Sequence, residues 1–225
     1  RFRDRTSDEH RPHRARSPVK VDFHLHTTAS DGRLSPSQMV TLAAKLHIDT
    51  MAITDHDSVS GVPEALEAAR AFPPLVVIPG VEVSTDIPGD EFHILGLFVD
   101  HTSPKLLETL AQQRAYRLER AQKMVARLGE LGMPITLERV LELAAGAAVG
   151  RPHIAQALLE KGYISTMGQA FQHYIGRNAP AYVEKVKLTP SQAVSVVTDA
   201  GGLAALAHPA EMANLEPLLV ELKAA

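Results

Sequence analysis

The sequence predicts an α/β fold in which strands alternate with helices around a parallel sheet, with an all-helical stretch set between two strand-bearing halves. Three observations predict it. Short apolar segments recur, among them Val21–Leu25, Ala52–Thr54, Val76–Val81, Ile94–Leu97 and Leu203–Ala207, and each ends or begins near His, Asp or Glu. The signature Ser35-Pro36-Ser37-Gln38 returns almost residue for residue as Thr189-Pro190-Ser191-Gln192. It supplies a hydroxyl N-cap, proline at the first helical position and glutamine to close a capping box. From Pro104 to about Gly176 the pattern is helical only.

Taken in order, strand Lys20–His24 leads into a loop over Thr27–Arg33. Ser35 opens a helix whose apolar stripe includes Met39, Leu42, Ala43 and Leu46. Strand Thr50–Thr54 follows, then a loop through Gly61 and helix Pro63–Ala71, which Pro73-Pro74 breaks. Strand Leu75–Ile78 runs into Gly80-Val81-Glu82-Val83, and strand Phe92–Phe98 closes the first half. Helices cover Leu107–Leu131, Leu137–Ala145, Ile154–Lys161 and Gly168–Ile175. Ala181-Tyr182-Val183 reads as a short strand or an extended arm. Helix Ser191–Ala200 ends at Gly201-Gly202, strand Leu203–Ala207 delivers His208, and a last helix covers Leu215–Leu222. Such alternation implies a parallel sheet, with function at the C-terminal strand ends. The chain divides into a disordered basic tail (1–18), the first part of a barrel (19–100), a helical insertion (101–178) and the second part of the barrel (179–225). A closed barrel needs further strands, so the fold is expected to be truncated at the C-terminus.

Composition narrows the chemistry. The formal net charge of −3 offers no global attraction to nucleic acid or an anionic membrane, so a polyanionic substrate needs local positive charge or metal. The absence of cysteine removes disulfides, thiolate metal sites and cysteine nucleophiles. Any metal must be held by imidazole and carboxylate, which suits Mn, Zn, Fe or Mg. A chain without disulfides fits the cytoplasm, and no apolar run is long enough for a membrane span.

His24 and His26 lie two apart on a strand, so their rings point the same way. His56 follows a second strand within Thr54-Asp55-His56-Asp57, Glu82 a third, and His208 a later one; His93 precedes Ile94-Leu95-Gly96-Leu97. Asp31 sits in a glycine-bearing loop beside the first pair. A glutamate at the end of a buried strand needs a partner or a cation. Asp55 and Asp57 are open between metal ligand, orienter of an imidazole and turn former; Asp57 is also a candidate catalytic residue. His10, His13, His47, His101 and His173 read as ordinary surface or core histidines. Arg114, Arg117, Arg120 and Arg127 on the long helix read mostly as a solvated face. Gly150-Arg151-Pro152-His153 opens a helix with guanidinium, imidazole and free amides together, either a phosphate pocket or a plain cap. No P-loop, nucleophile elbow or dinucleotide fingerprint is present.

These motifs resemble the polymerase and histidinol phosphatase (PHP) superfamily of metal-dependent phosphoesterases. The resemblance rests on Asp22-Phe23-His24-Leu25-His26-Thr27, Ser30-Asp31-Gly32, Ile53-Thr54-Asp55-His56-Asp57, Gly80-Val81-Glu82-Val83-Ser84, His93-Ile94-Leu95-Gly96 and Ala207-His208-Pro209, in that order. Gly150-Arg151-Pro152-His153 and the Ala181-Tyr182-Val183 arm resemble a branch of nucleoside 3′,5′-bisphosphate phosphatases that also degrade short RNA from the 5′ end. The resemblance implies a distorted (β/α)7 barrel and a trinuclear site, with manganese first and Zn, Fe or Mg as alternatives. It implies that His24, His26 and Glu82 hold one metal, that Glu82 bridges to a second held with His93 and His208, and that Asp31 and His56 hold a third. A late Asp-x-His motif completes that set in the family, and none follows His208 in this sequence. The implied reaction is attack of a metal-activated hydroxide on a phosphate ester. Arg151 and His153 would bind the substrate, and His153 would also protonate the leaving group. The expected partner is a small nucleotide or short single-stranded oligonucleotide, with no membrane and no obligate protein partner. The alternatives are a histidinol-phosphate-type phosphatase, a polymerase-associated module, or a metal-binding remnant without catalysis.

Overall fold

The computed structural model describes residues 18–87, 90–184, 188–209 and 215–223. The tail expected over 1–18, with His10 and His13, therefore falls outside the described residues except for Pro18. Strands β1 (Val21–Leu25), β2 (Thr50–Ile53), β3 (Val76–Ile87), β4 (Asp90–Leu97) and β5 (Leu203–Leu206) form one sheet in that order. β1, β2 and β3 are parallel, joined through α1 (Pro36–Lys45) and α2 (Val62–Ala69). The expected all-parallel sheet is corrected at β4, which pairs antiparallel with both β3 and β5. The cause is local: no helix separates β3 from β4, and a short connection returns a strand antiparallel. Strand β3 also outruns its expected end at Ile78 and continues to Ile87.

That reversal places the ligand candidates together. Glu82 sits beyond Pro79, the last β3 residue paired with β2, so it projects past the end of β2. His93 lies near the start of β4, opposite Ser84. An antiparallel strand begins where its parallel neighbours end, so His93 joins the edge already reached by His24, His26 and His56.

Local chemistry sets the helices. Ser35 and Thr189 cap α1 and α7 (Pro190–Asp199), and Gln38 and Gln192 complete both capping boxes. Gly96 lets α7 lie directly on β4, because a Cβ there would meet Val197 Cγ2 at 2.8 Å. The middle of the chain holds α3 (Pro104–Glu130), α4 (Leu137–Ala144), α5 (Arg151–Glu160) and α6 (Met167–Ala170). The single helix expected over Gly168–Ile175 changes pitch, with a π-helical turn over Phe171–Ile175. Ala181-Tyr182-Val183 forms no strand and runs as an arm. α8 (Leu215–Lys223) follows β5. No helix among the described residues is long and apolar enough to cross a membrane.

Two separate buried clusters hold these parts. The first packs Val40, Met51, Ile53, Val81, Ile94 and Val197 between sheet and helices. The second packs Met124, Val140, Ile154, Leu158, Ile175 and Ala181 within the helical stretch. α3 belongs to both, giving Leu106 and Leu110 to the first and Ala121, Met124 and Leu128 to the second. With 27 residues it is about 40 Å long, enough to tie one cluster to the other. Ile53→Val and Ile154→Val each remove one buried methyl group, from different clusters. Each is expected to destabilise the chain by about 0.5–1.5 kcal/mol. In urea unfolding the double variant should show the sum of the two within about 0.5 kcal/mol; a clear departure would mean that the clusters are one core.

Candidate metal centre

The first loop is wound tightly around a buried carboxylate. Asp55 Oδ1 accepts from the Thr27 amide at 2.6 Å and the Ser30 hydroxyl at 2.7 Å, and Oδ2 accepts from the Thr27 hydroxyl at 2.7 Å. The Ser30 and Gly32 amides close back on the Thr27 carbonyl. A Cβ at Gly32 would lie 2.3 Å from the His26 carbonyl oxygen, so only glycine permits this return. The result sets Asp31 beside His26, with Oδ1 3.3 Å from Nδ1. Asp55 therefore engages the loop rather than any imidazole.

Asp57 does the same for the next segment. It has φ +47°, and its Oδ1 accepts from the Ser84 amide at 2.9 Å. Oδ2 accepts from the Ser84 hydroxyl at 2.9 Å and from Arg117 Nε at 2.6 Å. The Asp57 amide donates to the Glu82 carbonyl. These bonds register the His56 segment against β3.

Glu82 lies at the centre, fully buried. Its Oε2 faces His24 Nε2 at 3.0 Å, His26 Nε2 at 2.9 Å and His56 Nδ1 at 3.3 Å. Its Oε1 faces His93 Nδ1 at 2.8 Å and His208 Nε2 at 3.9 Å. Asp31 Oδ2 lies 3.8 Å from His56 Nε2. Two sets of donor atoms fall within 4.8 Å of one another: Glu82 with His24 and His208, and Glu82 with His26 and His56. The structure thus brings together all the candidates His24, His26, Asp31, His56, Glu82, His93 and His208. His47, His101 and His173 belong to neither set.

The donor set suits divalent cations. One carboxylate has about four lone-pair directions and cannot accept good hydrogen bonds from every ring aimed at it. His56 Nδ1 shows the shortfall, being buried with no hydrogen-bond partner. A buried nitrogen lone pair next to a carboxylate oxygen is a ligand arrangement. The charges agree. Burial pushes His56 down from 6.5 to about 3, with Arg117 and His93 opposing its protonation and the Glu82 and Asp31 charges only partly offsetting this. The ring is neutral, as a ligand must be. Burial also pulls on His26, but hydrogen bonds to Asp31 and Glu82 outweigh it and raise that ring to about 10. Burial would raise Glu82 and Asp31. Instead His24, His26 and His93 hold Glu82 well below the usual carboxylate range, and His26 and His56 hold Asp31 there.

Beside this cluster is a cavity of about 140 Å³, lined by Asp31, His56, His93, Arg117, Arg151 and Phe171 among others. Arg151 begins α5 and lies over the Phe171 ring at 5.7 Å. His153 Nδ1 accepts from the Gly150 amide at 3.0 Å. Burial lowers the pKa of His153, Asp31 opposes that, and Arg117 adds to it. The solvated-face reading of the long helix is corrected at Arg114, Arg117 and Arg120, while Arg127 stays exposed. Arg114 Nη1 donates to the Asp57 carbonyl at 3.0 Å, and Arg117 donates to Asp57 and Ser84. Arg120 is 9 % exposed and donates to the Val183 carbonyl at 2.7 Å, and Arg127 donates to the Tyr182 carbonyl. The missed signal was spacing: Arg114, Arg117 and Arg120 recur every three residues and share one helix stripe. Thr27, Ser30 and Ser84 stand in the quoted motifs, but the sequence assigns them no role.

A strand-edge cluster of imidazoles around one buried carboxylate, beside a cavity with guanidinium groups on an α/β sheet, defines the class. The chain belongs to the PHP-domain family, whose model matches residues 22–165. Two relatives and one solved structure extend the likeness. The chain is 43 % identical over 192 residues to the 5′-3′ exoribonuclease Rnm of Escherichia coli, covering 85 % of this chain and 66 % of that protein. It is 33 % identical to a 3′,5′-nucleoside bisphosphate phosphatase of Chromobacterium violaceum, over 92 % of this chain and 74 % of that one. A Bifidobacterium adolescentis protein assigned as a metal-dependent phosphoesterase shares the fold with a TM-score of 0.84 at 30 % identity, over 92 % of this chain and 75 % of its own. The chain thus spans just under two thirds of the E. coli relative's length.

Metal binding should compete with a proton. His26 holds its proton up to about pH 10, so a cation must displace it throughout the neutral range, whereas His56 is already neutral. Manganese binding at pH 8 should release about one proton, and its affinity should fall as the pH falls. Titration calorimetry in buffers of different ionisation enthalpy measures both; affinity that does not change between about pH 7 and 9 would contradict the assignment of His26.

Proposed function

We propose that this chain is a metal-dependent phosphoesterase acting on nucleotides that carry two phosphates, or on the 5′ end of short oligonucleotides. One observation carries the reading. One cavity is lined both by metal-type donors, Asp31, His56 and His93, and by Arg151. A phosphate held at the donors and a second anion at Arg151 would fit that lining. The names of the relatives, an exoribonuclease and a nucleoside bisphosphate phosphatase, support a nucleotide substrate.

His24, His26, Asp31, His56, Glu82, His93 and His208 would hold a divalent cluster, read as three manganese ions, with Zn, Fe or Mg as alternatives. Glu82 would bridge, because its two oxygens face different groups of rings. Bound cations would neutralise phosphate charge and bring the pKa of a water near neutrality. The rest falls to the protein. Arg151 orients an uncleaved phosphate through charge-assisted hydrogen bonds. His153 accepts the Gly150 amide at Nδ1, so its neutral ring carries the proton on Nε2 and donates from there to a substrate oxygen. Asp57 has its carboxylate engaged by Ser84 and Arg117, which supports positioning rather than proton transfer. The helical stretch 101–178 supplies Arg117, Arg151 and Phe171 to the cavity and would set substrate choice.

Two variants test this reading. Glu82→Gln should lower manganese content, measured by elemental analysis after loading, more than loss of any single histidine does. Arg151→Ala should raise KM for a nucleoside 3′,5′-bisphosphate about ten- to a hundredfold, and for an aryl phosphate far less. Equal changes on both substrates would remove Arg151 from the role given to it.

A further inference from the structure

The guanidinium of Arg117 ties α3 to Asp57 and Ser84 through Nε and Nη2, which leaves Nη1 outside both bonds. Nε donates to Asp57 Oδ2 at 2.6 Å and Nη2 donates to the Ser84 hydroxyl at 2.7 Å. Both acceptors are buried, and Arg117 itself is 12 % exposed. Two bonds fix the plane of the group through Nε and Nη2, and the residue lines the cavity. Nη1 lies beside Gly150, another residue of the cavity lining, where a Cβ would sit in ordinary contact with it at 3.5 Å. The same cavity is lined by Asp31, His56 and His93. Arg117 is therefore a fixed cation beside the metal donors, supported from β3 and from the His56 segment rather than from its own helix alone.

We propose that Arg117 is a catalytic residue that holds the phosphate undergoing cleavage through its Nη1 edge. This rests on the phosphoesterase reading and extends it. Arg151 and Arg117 then have different tasks. Arg151 recognises an anion that survives the reaction, and Arg117 recognises the one that is hydrolysed. A donor held in place by its partners needs no reorganisation when charge builds on the phosphoryl oxygens, which is where such a group contributes most to rate. Asp57 and Ser84 become positioning residues for this guanidinium.

Inorganic phosphate is the probe. Its binding to the full chain is measured by calorimetry with and without manganese, for the unsubstituted protein, Arg117→Gln and Arg117→Ala. Hydrolysis of p-nitrophenyl phosphate, which has only the scissile phosphate, is followed in parallel. Both variants should bind phosphate about ten- to a hundredfold more weakly in both metal states, and kcat/KM should fall at least as far. Added guanidinium at low concentration should restore part of the rate in Arg117→Ala, a rescue that a purely structural role would not give. Unchanged phosphate affinity in Arg117→Gln, or a rate in Arg117→Ala that guanidinium leaves unmoved, overturns the proposal and leaves Arg117 as a tie. If Arg117→Ala fails to fold, Arg117→Gln, which keeps the bulk and an N–H for Asp57, decides through phosphate affinity. Failure of the unsubstituted, manganese-loaded chain to bind phosphate or cleave the ester overturns the phosphoesterase reading too. Phosphate binding and cleavage that do not depend on Arg117 overturn this proposal alone.

Discussion

The burial of one carboxylate governs the site. Glu82 is inaccessible to water, and a buried charge is tolerated only with compensating partners. The compensation comes from rings delivered by separate segments: His24 and His26 around the end of β1, His56 after β2, His93 on β4 and His208 after β5. Each strand must therefore end at the correct level relative to β3. The Asp57 carboxylate on Ser84, and the parallel bridge between His56 and Glu82, set that level for the second segment. Asp55 sets the shape of the first loop from beneath it. The two aspartates that flank His56 thus hold backbone and hydroxyl groups while His56 faces the cluster.

Protons and cations want different things from this arrangement. Among the rings around Glu82, burial and neighbouring positive charge keep His56 neutral, while two carboxylates keep a proton on His26. The hydrogen bonds of the cluster are a compromise in which His56 Nδ1 is buried with no hydrogen-bond partner. A cation relieves that conflict because it attracts every lone pair at once, including those a hydrogen bond cannot reach. The site is in this sense shaped for a charge larger than a proton.

Much of this was legible in the sequence, and the boundary is physical. The residues that gather around Glu82 showed because strand alternation puts His24 and His26 on one face, and because a glutamate inside an apolar strand needs a partner. The helices of the two capping signatures showed because an N-cap is a local bond between residues three apart. The reversal of β4 was visible only as a missing helix between two strands, and the alternation elsewhere hid it. The arginines of α3 were misread because helix periodicity tells which residues share a face, not what that face meets. Arg117 and Asp57 are 60 residues apart, and their bond is a property of the folded chain. The same holds for Ser84, which ends the Glu82 motif but whose hydroxyl and amide serve Asp57 only once the chain is folded.

The long helix explains why the two halves of the site can differ in character. Its ends are buried in different apolar clusters, and the stretch between carries Gln113, Arg114, Arg117 and Arg120. Apolar packing at both ends fixes the helix without using its centre, so the centre is available for charge. The sheet contributes carboxylate and imidazole, which attract cations. The helical stretch contributes Arg117 and Arg151, which attract anions. The Asp57–Arg117 pair bonds one unit to the other, alongside Arg114 on the Asp57 carbonyl, Arg117 on the Ser84 hydroxyl and Lys105 on Asp199. The Asp57–Arg117 ion pair, 0 % exposed on the Asp57 side and 12 % on the Arg117 side, converts the position of a helix into the position of a guanidinium at the cavity wall.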